Sequence, residues 1–411
     1  MTQLTGSPSQ PQVSRRGGCT RGLRPGVTSC SSVTPAHAPD PRGPTGRRRR
    51  RRAFAVVALL AVIATPVALL PFLAGTRGFN AFVDRRTVAM MSDVALRFDA
   101  AHSGVGSQTL PWTTTEELER LTRPPAESLS TTSSNMQRHR LDDGALTQEV
   151  ITFPSAIRVD HPESDLARAY VYRHGRLGER PIVLWVPGQY VSDWAFVPIS
   201  RFTRAIVRRG ADVVLFVPPY HLERTPRGFD SGDAMLATTL PDHLNTFAQE
   251  LSDLRRLLSF LRALRPPALG GFGGSAGAML LLRLSTWDAS LQFLTVFIPM
   301  IRLAGLLDQP GAAPLRARIE RDGFTVEQMR RLYGGLDPTS AITHLSPARI
   351  SVLYARFDGV ADPAAMLSWA RAWGVTRVAA YDRGHALALF TPSMYADYAR
   401  FLDEDLRALG L

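Results

Sequence analysis

Lysine is absent from this chain, and all 48 basic residues among its 411 are arginine. That absence excludes lysine Schiff bases, serine–lysine dyads and the lysine of a G-x-x-x-x-G-K-[ST] phosphate loop. Cysteine is nearly absent too, since the chain has only Cys19 and Cys30. From residue 31 onward there is no thiol, which rules out disulfides, thiol nucleophiles and cysteine metal sites there. Such a composition is compatible with an oxidising exterior. Histidine is sparse and scattered, without an H-E-x-x-H pair, so no metal site and no cofactor is implied.

Acidic residues are scarce at one end. Residues 1–52 carry eleven arginines against one aspartate, and so hold most of the formal net charge of +12. No aromatic residue is interleaved with them, so the block reads as a solvated tail or topology signal, with no nucleic-acid partner implied. Rich in Ser, Thr, Pro, Gly and Arg, residues 1–52 are expected to be a disordered cytoplasmic tail. The tail ends in the run Arg47–Arg52, and Ala53–Gly75 follows as 23 residues without a charge. That is long enough to cross a hydrocarbon core as a helix, although Pro66 and Pro71 would kink it. Arginines on the N-terminal flank place the tail inside and the C-terminal part outside. The expectation is a signal anchor, a single-pass cell-membrane protein with an extracytoplasmic domain. The rival readings are a cleaved export signal, since Arg51-Arg52-Ala53-Phe54 resembles a twin-arginine pattern, and a translation start nearer the arginine run. Thr76 stands where a lipidated cysteine would have to follow Leu73-Ala74-Gly75, which argues against a lipid anchor.

Residues 79–143 read as a membrane-proximal helical segment, with the acidic cluster Glu116-Glu117-Leu118-Glu119 and a polar linker over Ser128–Ser134. From residue 144 to 411 the pattern alternates. Ala145–Ile157 and Ala167–Arg173 predict a hairpin. Ile182–Val186 and Val213–Val217 are continuous apolar runs, as expected of strands buried on both faces, and Phe196–Arg209 between them has helical spacing. Leu244, Phe247, Leu251, Leu254, Leu258 and Leu261 recur at helical spacing before another strand, Ala268–Phe272. Strands and helices in turn imply an α/β architecture with a mostly parallel sheet.

That last strand runs into Gly273-Gly274-Ser275-Ala276-Gly277, and a helix-forming run follows. A G-x-S-x-G turn between strand and helix is where a nucleophilic serine is expected, the glycines leaving room for a strained turn. The related run Gly271–Gly277 lacks the spacing of a dinucleotide-binding turn. Asp358 follows the β-rich segment Ile350–Phe357, and His385 follows Thr376–Tyr381. Asp362 is the rival acid, but Asp358 stands directly at the strand end. His385 would then be the general base and Asp358 its orienting partner. His161, His174, His221, His243 and His344 lie in or beside other loops and helices. The oxyanion would need backbone donors: Ala276, and Gln189 in the loop Pro187-Gly188-Gln189, with Tyr190 as the alternative to Gln189.

On the serine, acid, histidine order, residues 144–411 resemble the α/β-hydrolase fold superfamily, close to bacterial esterase-like serine hydrolases of undefined substrate. The loop Pro219-Tyr220-His221-Leu222-Glu223-Arg224-Thr225-Pro226 is similar to a P-x-H-x-x-R-x-P segment of that group. His221 and Arg224 there either contact a substrate or shape the pocket rim. The resemblance implies an α/β-hydrolase fold with a helical lid-like insertion at about 303–347. It also implies hydrolysis of a small-molecule or lipid ester through an acyl-enzyme on Ser275. The alternatives are acyl transfer to an envelope acceptor by the same triad, and a non-catalytic binding scaffold.

Overall fold

Continuous apolar runs need cover on both faces, and the fold supplies it with helices on either side of a nine-stranded sheet. The computed structural model describes residues 74–97, 110–124, 129–135, 146–159, 161–191, 196–237 and 239–411. The expected tail at 1–52 lies outside these residues, as does the expected membrane run 53–75 except for its last two. Among the described residues no helix is long and apolar enough to cross a membrane.

The strands are β1 (Thr132–Asn135), β2 (Thr147–Pro154), β3 (Leu166–Arg173), β4 (Ile182–Val186), β5 (Asp212–Val217), β6 (Leu269–Gly274), β7 (Phe293–Phe297), β8 (Ile350–Ala355) and β9 (Arg377–Tyr381). Their order across the sheet is β1-β2-β3-β5-β4-β6-β7-β8-β9. The β1–β2, β2–β3 and β3–β5 pairs are antiparallel, and every pair from β5 through β9 is parallel. The expected hairpin is β2–β3. The chain steps from β4 to β5 on one side and then to β6 on the other, so the C-terminal ends of β4 and β6 flank a topological switch point. In open α/β sheets that is where ligands bind.

The helices are α1 (Arg77–Arg97), α2 (Thr115–Leu121), α3 (Phe196–Val207), α4 (Asp233–Ala237), α5 (Leu240–Ala263), α6 (Ser275–Ser285), α7 (Ala313–Arg321), α8 (Val326–Gly334), α9 (Pro363–Ala372), α10 (His385–Ala388) and α11 (Pro392–Ala408). Side chains alternate across a strand, so β4 feeds two cores. Ile182, Leu184 and Val186 join Leu251 of α5, Leu280 of α6 and Trp369 of α9. Val183 and Trp185 meet Phe202 and Ile206 of α3, and Tyr398 and Phe401 of α11. α5 starts where Thr239 caps it by accepting from the Asp242 amide, and its leucine stripe lies against the sheet.

One expectation requires correction. The polar stretch 128–134 is not wholly a linker, because Thr132 begins β1; as an edge strand with exposed side chains, it had no buried face to reveal it. The described parts of segment 79–143 also pack into the same core as the sheet. Trp112 and Leu118 belong to the main core, and the Trp112 indole donates to the Leu244 carbonyl of α5 at 3.2 Å. α1 packs against α4, α7 and α10. An apolar anchor so far upstream of the first parallel strand carries no periodicity that marks its destination.

The expected insertion contains short 3₁₀ turns followed by α7 and α8. α8 opens with a reciprocal capping box between Thr325 and Gln328, and buries Met329, Leu332 and Tyr333 on one face. Because Trp112 is part of the core, Trp112→Ala is expected to lower the stability of the whole unit by about 3–5 kcal/mol. Urea unfolding followed by circular dichroism checks this; a loss confined to a separate early transition would show an independent N-terminal segment instead.

Candidate active site

Ser275 sits at the junction of β6 and α6 with φ 49°, in the left-handed region. That conformation costs on the order of 1–3 kcal/mol for a residue other than glycine, and the surroundings must impose it. Gly277 shows how they do so. A Cβ on Gly277 would lie 2.2 Å from the Pro187 carbonyl oxygen and 2.3 Å from that of Val186, so only glycine lets α6 start this close to β4. The turn therefore projects the serine upward from the C-terminal edge of the sheet.

The Ser275 hydroxyl donates to His385 Nε2 at 2.9 Å, and His385 Nδ1 donates to Asp358 Oδ2 at 2.7 Å. Asp358 leaves the end of β8, and its Oδ1 accepts from the amides of Val360 at 2.9 Å and Ala361 at 2.7 Å. This fixes the carboxylate while leaving its second oxygen to the imidazole. Burial pulls the His385 pKa down, but the charge of Asp358, its hydrogen bond and the charge of Asp84 outweigh that and leave it above the ordinary value. The rival acid, Asp362, instead caps α9 by accepting from the Ala364 amide.

Gln189 and Ala276 both lie beside Ser275 on the cavity wall. The Tyr190 amide is taken, because it donates to His221 Nε2 at 2.8 Å. Neither the Gln189 amide nor the Ala276 amide, in the first turn of α6, donates to a protein acceptor among the described residues. Gly188 packs directly on the serine, where a Cβ would come within 2.8 Å of Ser275 Cβ. Of the two loop amides expected as donors, that of Tyr190 is therefore engaged within the protein.

His221 and Arg224 are fully buried and are not among the residues that line the cavity, and their partners are protein groups. His221 Nδ1 donates to the Pro219 carbonyl, so Nε2 is the acceptor that holds Tyr190 in its left-handed turn at φ 65°. Burial pushes the His221 pKa down to about 4, which keeps the ring neutral and accepting near neutral pH. Arg224 donates to the carbonyls of Ser164 and Val217 and pairs with Asp253 of α5 at 2.9 Å, tying the loop after β5 to the β2–β3 turn. Beneath Gln189 lies Glu250 of α5, which accepts weakly from the Gln189 side-chain amide at 3.4 Å. Burial raises its pKa to about 8, so at neutral pH the acid is mainly protonated. Elsewhere, His161 packs edge-on against Tyr220, the His344 amide donates to Ser285, and the Asp212 carboxylate accepts from the His174 amide. His243 binds the Met235 carbonyl on the cavity wall.

The cavity above Ser275 holds about 330 Å³ and is lined almost wholly by apolar side chains. Trp185 and Phe297 come from the sheet side, Met90 and Met91 from α1, and Leu315 and Ile319 from α7. Arg318 on its wall pairs with Asp322 at 3.7 Å.

Sequence reasoning missed two acids. Glu250 had a signal, since Phe247, Glu250 and Asp253 are three residues apart on a helix whose neighbours are leucines. Asp84, which contacts the Asp358 and His385 loops, had none.

No family model matches the chain, and no curated protein is similar to it in sequence. Its fold is similar to that of acetyl xylan esterase from Paenibacillus sp. R4, with a TM-score of 0.50 and 15% identity over 71% of this chain and 92% of that one. Acetyl xylan esterase 1 from Thermoanaerobacterium sp. JW/SL YS485 gives 0.47 and 15% over 71% and 96%. Carboxyl esterase 2 from the mycorrhizal fungus Tuber melanosporum gives 0.39 and 16% over 73% and 99%. The likeness to the first of these shows the fold, which is of the α/β-hydrolase type. At such identities the likeness concerns fold, and the activities in those names belong to those proteins.

If His221 holds the loop that carries the Gln189 amide, His221→Phe is expected to lower kcat on the order of 100-fold with little change in KM, as for loss of an oxyanion donor. Steady-state ester hydrolysis by folded variant checks this, and an unaltered kcat would place the loop's support elsewhere.

Proposed function

We propose that this protein is a serine hydrolase that cleaves carboxylic esters bearing an apolar group, through an acyl-enzyme on Ser275. The observation that carries the reading is the unbroken hydrogen-bond chain from Ser275 through His385 to Asp358, opening directly into an apolar cavity.

In this reading Ser275 Oγ attacks the acyl carbon while His385 Nε2 takes its proton, and Asp358 stabilises the imidazolium. The amides of Gln189 and Ala276 receive the negative charge that develops on the carbonyl oxygen. Collapse of the tetrahedral species breaks the ester bond, and the imidazolium returns the proton to the departing alcohol. Water then repeats the sequence on the acyl-enzyme, with His385 as base, and releases the acid. The lack of lysine and of downstream cysteine supports serine as the nucleophile over the common alternatives. α7 and α8 act as a lid that shapes what enters, a role supported by Leu315 and Ile319 of α7 and Tyr333 of α8 lining the same cavity as Ser275. The Arg47–Arg52 run and the uncharged stretch after it support a membrane-anchored domain facing outward.

A fluorophosphonate probe should label the wild type and not Ser275→Ala, and a folded wild type that resists the probe would sink the proposal. Across p-nitrophenyl esters, kcat/KM should rise from acetyl into medium chains, by up to roughly fourfold for each methylene the cavity buries. A preference for acetyl would contradict the apolar site. Because His385 must be neutral to accept the serine proton and its pKa is raised, activity should fall as pH drops, with a midpoint above 6.5 in the kcat/KM profile.

A further inference from the structure

α1 lies upstream of the hydrolase sheet, yet one of its side chains reaches both loops that carry the partners of Ser275. Asp84 is fully buried. Its Oδ2 accepts from the Gly359 amide at 2.8 Å and from the His385 amide at 2.9 Å, and its Oδ1 accepts from the Ala386 amide at 3.2 Å. One turn earlier, Asn80 Oδ1 accepts from the Gly384 amide, while Asn80 Nδ2 donates to the carbonyls of Ala74 and Thr76 at 2.7 Å each. The four amides belong to residues 359, 384, 385 and 386, so the contacts fall on the residue after Asp358 and on both sides of His385.

No arginine pairs with Asp84 among the described residues, and its burial is offset chiefly by backbone donors, with the His385 imidazole as the nearby group that can carry positive charge. A buried carboxylate without a cation is costly, and it is tolerated here because three amides converge on it. Burial nevertheless raises its pKa, against the opposing effect of those amides. Close approach requires that Gly384 lack a side chain, since a Cβ there would lie 2.7 Å from Asp84 Oδ2. The charged groups that face His385 are Asp358 from the end of β8 and Asp84 from α1. Arg383, its neighbour on the same loop, turns outward and donates to the Asp382 carbonyl.

We propose that Asp84 is a positioning residue for ester hydrolysis: it clamps the Asp358 and His385 loops to one another and adds a second negative charge beside the imidazole. The inference rests on reading Ser275, His385 and Asp358 as the reacting groups. It makes α1 part of the working site, because it adds a brace from outside the sheet to two loops that are otherwise joined by the Phe357 amide donating to the Arg383 carbonyl at 2.9 Å and by the Asp358–His385 side-chain bond.

The test uses the full chain with Asp84→Asn, which keeps nearly the same shape but loses the charge and turns one acceptor into a donor facing the amides. With p-nitrophenyl butyrate, kcat should fall on the order of 100-fold, as for a small misplacement of a catalytic group. KM should stay within about threefold, the pattern of a residue acting on the chemical step rather than on binding. The acid limb of kcat/KM should also move to lower pH, since one of two carboxylates that favour the imidazolium is gone. Phe82→Ala, exposed on the same helix, should match the wild type. An active wild type with unchanged kcat and unchanged acid limb in Asp84→Asn overturns this inference alone. A wild type that neither turns over esters nor reacts with a fluorophosphonate overturns the reading of the site and this inference with it. Should Asp84→Asn fail to fold by circular dichroism, Gly384→Ala decides, because its Cβ would displace the carboxylate: a comparable fall in kcat supports the clamp, and an unchanged kcat overturns it.

Discussion

The close approach of α6 to the end of β4 is the constraint on which the rest of the site depends. Gly277 lets the helix begin against the carbonyls of Val186 at the end of β4 and of Pro187 just after it, and Ser275 beside this contact holds a left-handed conformation. The same approach puts Gly188 against the serine, so the loop after β4 and the start of α6 meet at the switch point of the sheet. The partners arrive from the ends of β8 and of the loop after β9, where parallel strands deliver loops to the same edge.

Support for this edge is layered, and each layer uses a different physical device. His221 holds the β4 loop as a neutral acceptor, a role available because burial denies it a proton. Arg224 and Asp253 form a fully buried pair, and the guanidinium also donates to the carbonyls of Ser164 and Val217. Removing either member would leave an unpaired buried charge, which is far more costly than the pair's net contribution. Asp84 and Asn80 work through backbone amides. Arginine does the work of every buried cation in this molecule, as the lack of lysine requires.

What was legible in the sequence was what period and punctuation reveal. The buried strands β4 and β5 were readable because a strand covered on both faces has few polar positions. Ser275 was readable because glycine brackets it, and Asp358 and His385 because each follows a strand. The loop of His221 and Arg224 was visible as a motif, but its purpose was not, since a side chain that meets the substrate and one that braces the loop look alike in one dimension. Strand β1 was hidden because an exposed edge has no alternation. Asp84 was hidden for a deeper reason: its partners lie some three hundred residues away and are backbone amides, which have no side-chain identity to read.

Methionine lines the cavity from several directions, with Met90 and Met91 on α1, Met235 at α4 and Met300 after β7. Thioether side chains are unbranched and polarizable, so this wall can adapt to acyl groups of different shape. They are also the side chains most open to oxidants besides cysteine, of which this part of the chain has none. Conversion of any one of them to the sulfoxide would set a polar, chiral group into a largely apolar surface. The lining that makes the cavity accommodating therefore ties its apolar character to the redox state of its surroundings, and a sulfoxide reductase would become a condition for keeping it apolar.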